Sequence, residues 1–311
     1  MIRQFLNLII IYCLALASPL LTANEQMRIV STDASVTELL VALGFDQYLV
    51  GVDITSQPVV QNLTSKQLKD KQPVANIGYH RNLSAEGLLS LLPNLVVGSE
   101  HIGPRNVVDA LNLAKIELIQ LSSPQSIPEL QKNISQLSSR LGIPDLGITL
   151  NNHLDQKNTT LSNSVFKHDR VAFLLTIDSN KLRLAGTESS GHAFIQLLGA
   201  QNIATFKNYQ NVSAESLLAL NPSVIIVAGK YPEKAVSTLL HSHAILAMSD
   251  AGQAKRIISI NSASLIAGLS VSAIDEAIRV SKVLSNKILD DQALLEQSLP
   301  EKTQHISSRE R

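Results

Sequence analysis

The chain has 311 residues, 45% of them apolar, with 26 basic and 26 acidic side chains. That length accommodates two domains of ordinary size and the apolar content fills their cores, which excludes a disordered chain. The balanced charge leaves no basic face to attract a phosphate backbone, so a nucleic-acid partner is not expected.

The first 23 residues differ from the rest. Arg3 is the only charge before the apolar run Leu6 to Leu16, and the segment closes on Leu21-Thr22-Ala23 ahead of the polar Asn24-Glu25-Gln26. This is the layout of a secretory signal peptide, with cleavage expected after Ala23. The uncharged stretch from Gln4 to Asn24 is also long enough for a retained membrane anchor, but the small residues near its end favour removal. The only cysteine, Cys13, lies in this leader behind the bulky Tyr12, where lipoprotein processing needs a small residue. A mature chain starting after Ala23 has no thiol for disulfides, metal ligation or nucleophilic catalysis.

The first α/β lobe is expected over residues 24–143. RIVST reads as a strand, and Asp33 or Ser35 caps a helix whose Val36, Leu39, Leu40 and Leu43 share a face until Gly44 ends it. A strand in YLVGVD follows, and the polar stretch Thr55 to Pro73 reads as a solvated loop. Residues 82–97, NLSAEGLLSLLPNLVV, then return as residues 211–226, NVSAESLLALNPSVII, identical at eight of sixteen positions. In each copy a serine, Ser84 or Ser213, caps a helix, a glutamate sits in the first turn, and a proline ends the helix before an apolar strand. After the first copy come a helix opened by Gly103-Pro104, the strand IELIQLSS and the helix SIPELQKNISQLSSRLGI.

Residues 144–168 carry Ile148, Leu150, Leu154 and Leu161 among polar residues and are read as a helix bridging two lobes, because so long a loop is unusual in a compact protein. A second α/β lobe is expected over residues 169–291: the strand VAFLLTI, a loop around GTESSGH, the helix AFIQLLGA, the second repeat copy with strand VIIVAG, the helix AVSTLLHSHAIL, the strand RIISI and a helix from about Ser272 to Leu289. Residues 292–311 read as a polar tail. Two similar lobes joined by one long α-helix enclose a ligand cleft.

Enzyme motifs are missing: there is no G-x-S-x-G, no G-x-x-x-x-G-K-[ST], no H-E-x-x-H and no G-x-G-x-x-G behind a strand. No converging set of His, Asp or Glu suggests a bare zinc or manganese site. Gly78-Tyr79-His80-Arg81, by contrast, precedes a capped helix at a sheet edge that faces the cleft. A free phenol ionises near pH 10, about three units above neutrality, so a tyrosine that binds ferric iron needs a cation or donor beside it. Arg81 can be both, and tyrosine is among the axial ligands of haem.

The string GYHRNLSAEGLLSLLPNLVVGSEHIGP resembles the corresponding region of the periplasmic haem-binding proteins that feed haem ABC importers. The order from RIVSTDASVTELLVALG through AGTESSGHAFIQLLGAQN to NVSAESLLALNPSVIIVAG is similar over nearly the whole mature chain. The resemblance implies two Rossmann-like lobes bridged by one helix, haem as the transported ligand, Tyr79 as the iron ligand and Arg81 as its support. It also implies a monomer in the periplasm that takes haem from an outer-membrane receptor system and delivers it to an inner-membrane ABC permease dimer. Glu86 and Glu215, at matching places in the repeat, are then docking residues for the two permease subunits, although Ser-Ala-Glu is equally a good helix start.

Weaker candidates remain. His192 is a possible second iron ligand or a helix-start residue, and Tyr209 precedes the second repeat much as Tyr79 precedes the first, lining the pocket or packing. His80 is expected to point opposite to Tyr79 on extended chain, His101 flanks the same edge, and His241 and His243 are expected to be exposed. Arg105 and Lys230 are candidate cations for haem propionates or plain surface charges. Siderophore or corrinoid capture on the same fold is the alternative, disfavoured by 4% aromatics and no tryptophan. A periplasmic enzyme acting on a porphyrin is separated from a carrier by turnover.

Overall fold

A computed structural model describes residues 27–61, 63, 73–162, 166–176 and 181–298. The expected signal peptide lies outside the described residues, as does the lysine-bearing segment 64–72.

Five strands build the first lobe: β1 (Ile29–Ser31), β2 (Leu49–Val52), β3 (Ala75–Asn76), β4 (Leu95–Ser99) and β5 (Glu117–Leu121). They lie in the order β3-β2-β1-β4-β5, with every pairing parallel. The helices between them are α1 (Ala34–Ala42), α2 (Gln57–Gln61), α3 (Ala85–Ser90), α4 (Arg105–Leu113) and α5 (Ile127–Arg140). Asp33 starts α1: its Oδ1 accepts the Val36 N–H at 3.1 Å, and its Oδ2 accepts the Ser99 N–H at 2.8 Å, tying the helix to the end of β4. Burial pushes the Asp33 carboxyl above its ordinary range, partly countered by these hydrogen bonds. Val36, Leu39, Leu40 and Leu43 are all buried, as their spacing predicts. Within the expected solvated loop over 55–73, residues 57–61 instead form α2, whose Val60 is buried in the main core.

The bridging helix α6 (Pro144–Ser162) ends earlier than the predicted residue 168. Gly147, Leu154 and Leu161 recur every seven residues and form its buried stripe. Ile148 sits about 100° round the helix from Gly147 and is exposed, unlike Leu154 and Leu161.

The second lobe contains β6 (Arg170–Thr176), β7 (Leu182–Ala185), β8 (Gln201–Asn202), β9 (Tyr209–Val212), β10 (Val224–Gly229) and β11 (Ile257–Asn261). Its sheet runs β11-β10-β6-β7-β9, with β8 also paired to β6. β10 pairs in parallel with both β6 and β11, but β7 is antiparallel to β6 and to β9. The β7 and β9 pair was not foreseen: LRLA is short and YQNV too polar to stand out, and only pairing makes strands of them. Helices α7 (Ser190–Leu197), α8 (Ala214–Leu220), α9 (Pro232–Ser242), α10 (Asp250–Gln253) and α11 (Val271–Ser298) complete the lobe. α11 runs past residue 292, so the first part of the expected polar tail is helical.

Both repeat copies fold as helix then buried strand, α3 to β4 and α8 to β10, with Ser84 and Ser213 accepting the N–H of Gly87 and Ser216. A shared joint anchors each copy. Arg28 Nε donates to the Leu91 and Leu92 carbonyls at 3.1 and 3.0 Å, and Arg170 Nη2 donates to the Leu220 carbonyl at 2.9 Å. The Arg28 N–H goes to Asn94 Oδ1 and the Arg170 N–H to Ser223 Oγ, both at 2.9 Å. Each arginine thus supplies donors to carbonyls that the end of a helix leaves without partners.

The largest core is continuous, from Ile29 and Val97 through Leu154 of α6 to Phe173, Val224 and Ala277. Between the lobes, Glu38 of α1 accepts the Ser272 N–H at 3.0 Å and its hydroxyl at 2.7 Å, and Leu269 N–H donates to the Pro124 carbonyl at 2.8 Å. These bonds and the shared core fix the lobes about the cleft.

Candidate functional site

A cleft of about 430 Å³ lies between the lobes, a size suited to a small organic ligand. Tyr79, His80, Arg81, His101 and Ser123 come from the first lobe; Phe173, Leu175, Glu188, Ser190, Tyr209 and Ala228 come from the second. The segment from Ser262 to Gly268 lines it too, with Gly268 at φ +98 and no room for a Cβ against Pro124.

The Gly78 to Leu83 loop is held at both ends. Gly78 adopts φ +89, a conformation open to glycine and strained for other residues. Its N–H donates to Asn76 Oδ1 at 2.9 Å and its carbonyl accepts from Ile54 N–H at 2.8 Å. Beyond it, Asn82 N–H donates to the Tyr79 carbonyl at 2.7 Å, and Gly103 N–H donates to the His80 carbonyl at 2.9 Å. Backbone bonding therefore fixes the loop, while the Tyr79 side chain is left 46% exposed.

His80 departs from the expectation. The chain turns at this point instead of running extended, so the His80 ring lies 4.3 Å from that of Tyr79, centroid to centroid. The imidazole is buried, with Nδ1 3.3 Å from Asp53 Oδ2. Asp53, at the end of β2, also accepts the N–H and hydroxyl of Ser56 at 3.0 and 2.6 Å. Sequence reading did not single out Asp53; the Asp-x-Thr-Ser turn after an apolar strand was its only signal. Across the loop, His101 Nε2 lies 3.0 Å from Ser123 Oγ. Burial first, and then the charge of Arg81, hold the His101 imidazole below its ordinary pKa and so favour its neutral form.

Tyr209 occupies the opposite wall in a different state. Its hydroxyl accepts the Gly191 N–H at 3.1 Å and is 3.3 Å from Ser190 Oγ, so it closes the start of α7. The Arg183 guanidinium lies 5.5 Å from its ring centre. Burial pushes this phenol above its ordinary pKa, favouring the neutral form. Beside it, Glu188 pairs with Lys207 at 2.6 Å.

Other sequence candidates fall elsewhere. His192 lies in the first turn of α7 and not in a loop; Asn202 Nδ2 sits 3.2 Å from its Nδ1, and it does not line the cleft. Glu86 and Glu215 are exposed in the first turns of α3 and α8. Hydrogen bonding from its own N–H and from Ser213 holds the Glu215 carboxyl below its ordinary range. Arg105 pairs with Asp109 at 3.3 Å, and Lys230 lies 5.4 Å from the centre of the Tyr231 ring; neither lines the cleft. His241 is exposed, but His243 is half-buried and its Nε2 has no hydrogen-bond partner among the described residues, contrary to expectation. Among the described residues, no cluster of His, Asp and Glu could hold a bare metal ion and no helix is long and apolar enough to cross a membrane.

A cleft between two α/β lobes, lined by Tyr79 and Arg81 on one wall and by mixed apolar and hydroxyl side chains on the other, defines a two-lobed solute-binding protein. The chain belongs to the periplasmic binding protein family, whose profile matches residues 29–263. Among solved structures it is similar to the periplasmic haem-binding protein HutB of Vibrio cholerae, at 31% identity and TM-score 0.73, covering 83% of this chain and 99% of that one. A periplasmic haem-binding protein from Pseudomonas aeruginosa is 28% identical with TM-score 0.71, over 83% and 92% of the two chains. The periplasmic haem-binding protein RhuT from Roseiflexus sp. RS-1, in apo form, is 28% identical with TM-score 0.69, over 82% and 97%. No curated protein sequence matches the chain.

Proposed function

We propose that this protein captures ferric haem in the cleft and carries it, chemically unaltered, through the periplasm to an inner-membrane ABC permease. Tyr79 is the iron ligand in this reading and Arg81 stabilises its phenolate. Tyr209 lines the facing wall as a neutral, hydrogen-bonded phenol beside the porphyrin. Glu86 and Glu215, exposed at the same place in the two repeat copies, dock with basic residues of the two permease subunits.

The observation that carries the reading is the half-exposed Tyr79 on a hydrogen-bonded loop, at a cleft that Arg81 also lines and to which Leu175, Ile266 and Ala267 present partly exposed apolar surface. A hard phenolate oxygen suits ferric iron, and burial of the porphyrin faces supplies most of the affinity. Hemin titrated into residues 24–311 is expected to give a saturable tyrosinate-type ferric spectrum, lost in Tyr79→Ala. An unchanged spectrum in the variant would move the ligand elsewhere. No binding by either protein would point to a siderophore or corrinoid.

A further inference from the structure

Behind Tyr79 the protein has built an arrangement that ligand capture alone does not require. Asp53 is fully buried and His80 is 3% exposed. Burying a carboxylate and an imidazole is costly unless both are hydrogen-bonded, and here they satisfy one another. Asp53 is fixed first, by the Ser56 N–H and hydroxyl and by the Thr55 hydroxyl, which reaches Oδ2 at 2.7 Å. The imidazole then has one orientation, with Nδ1 donating to the carboxylate across 3.3 Å and its ring tilted 50° against the phenol of Tyr79. Its carbonyl is held by Gly103 N–H, so neither its backbone nor its side chain is free to retreat.

We propose that Asp53 and His80 are positioning residues that set the ring of Tyr79 before the ligand arrives. This inference rests on Tyr79 being the iron ligand. The phenol is 46% exposed, and its one ring contact among the described residues is with His80. An exposed ring samples several staggered χ1 wells, and only one can aim its oxygen at iron along a given axis. A rigid imidazole in contact with the phenol removes the others, and the buried carboxylate fixes the imidazole. The chain of support runs from the end of β2, through Asp53 and His80, to the ligand atom, which places the site on the sheet and not on the loop alone.

The test uses His80→Asn, in which the amide can still donate to Asp53 so the buried carboxylate keeps a partner, while the ring against Tyr79 is lost. Hemin affinity is expected to fall by about tenfold, as for partners that orient metal ligands, with a displaced charge-transfer band. Asp53→Asn, which keeps the ring but loosens its anchor, is expected to shift the band in the same direction by less. Parent affinity and an unshifted band in His80→Asn would overturn the proposal. Tyr79→Ala separates this from failure of the function itself: if that variant keeps the parent spectrum, the iron-ligand reading falls and this proposal with it. The brace is also read without haem, since the Tyr79 ring proton resonances should move in ligand-free His80→Asn as the imidazole ring current is removed. Unmoved resonances would refute the contact.

Discussion

The first lobe places its tyrosine on a loop that follows a parallel edge strand; the second places its tyrosine at the start of an antiparallel strand. Tyr79 is half-exposed against His80, whereas Tyr209 is committed to the Gly191 N–H and to Ser190 at the start of α7. Both lobes nevertheless share the joint beneath, in which Arg28 or Arg170 meets the end of the repeat helix and Asn94 or Ser223 meets the arginine's own N–H. The difference teaches that the repeated segment supplies scaffold, while the residues just before it, Tyr79 and Tyr209, are the ones that reach the cleft. A phenol with no hydrogen bond to the other described residues, such as Tyr79, can take a ligand, while one that closes a helix start cannot do so without opening it.

The comparison is broken most directly by exchanging each hydroxyl for hydrogen. If Tyr79 is the iron ligand as proposed, Tyr79→Phe is expected to weaken hemin binding by about 100-fold with little change in stability, because the lost oxygen comes from an exposed group. Tyr209→Phe should do the reverse, costing about 1–2 kcal/mol of unfolding free energy as the Gly191 N–H loses its partner, with the ferric spectrum retained. Hemin titration and urea unfolding on both variants decide it; equal losses of affinity would end the distinction between the two walls.

The shared joint gives a smaller effect. Arg28→Ala removes donors from two carbonyls and Arg170→Ala from one, so costs of about 1.5 and about 0.5–1 kcal/mol are expected, reduced by the exposure of both arginines. Equal unfolding midpoints for the two variants would mean that the joint is not used in proportion to its bonds.

Where the lobes meet, Glu38 sharpens the comparison through pH. Burial raises its carboxyl above the ordinary value of 4.5, despite the Ser272 hydrogen bonds that lower it. The folded protein therefore holds this proton more tightly than the unfolded chain does. The resulting stability is fully present below pH 4.5 and is lost as pH rises through the folded value. Glu38→Gln keeps an acceptor for Ser272 and carries no charge, so its stability relative to the parent is expected to improve as pH rises through that window. Urea midpoints that stay parallel across the window would remove Glu38 as the source.

Smallest of all is a transplant between the copies. Leu92 and Asn221 match in the repeat and both have positive φ, 47° and 44°. Asparagine tolerates this region and leucine does not, and Leu92 is 75% exposed, so Leu92→Asn forfeits little burial. Relief of the left-handed strain should stabilise the protein by about 0.5–1 kcal/mol, read as a raised melting midpoint. A lowered midpoint would mean that the exposed leucine has a packing role in the first lobe alone.

Much of this architecture was legible in the chain itself. The spacing of Val36, Leu39, Leu40 and Leu43, the Ser84 and Ser213 caps and the continuously apolar LVVGS and VIIVAG are local signals, and local signals survive folding when the core they predict is the core that forms. Gly-Tyr-x-Arg ahead of a capped helix likewise marked the loop that reaches the cleft. What the chain alone could not decide depends on residues far apart in it. Pairing with β6 and β9 made a strand of LRLA. The turn at His80 and the Asp53 carboxylate 27 residues before it set the imidazole against Tyr79, where an extended chain would have turned it away. α7 took His192 out of its expected loop and left it beside Asn202, off the cleft. Short-range patterns specify helices, strands and caps because their energies are set within a few residues; the direction of a side chain at a cleft is set by whichever distant partner satisfies its buried polar atoms, and only the folded chain brings that partner there.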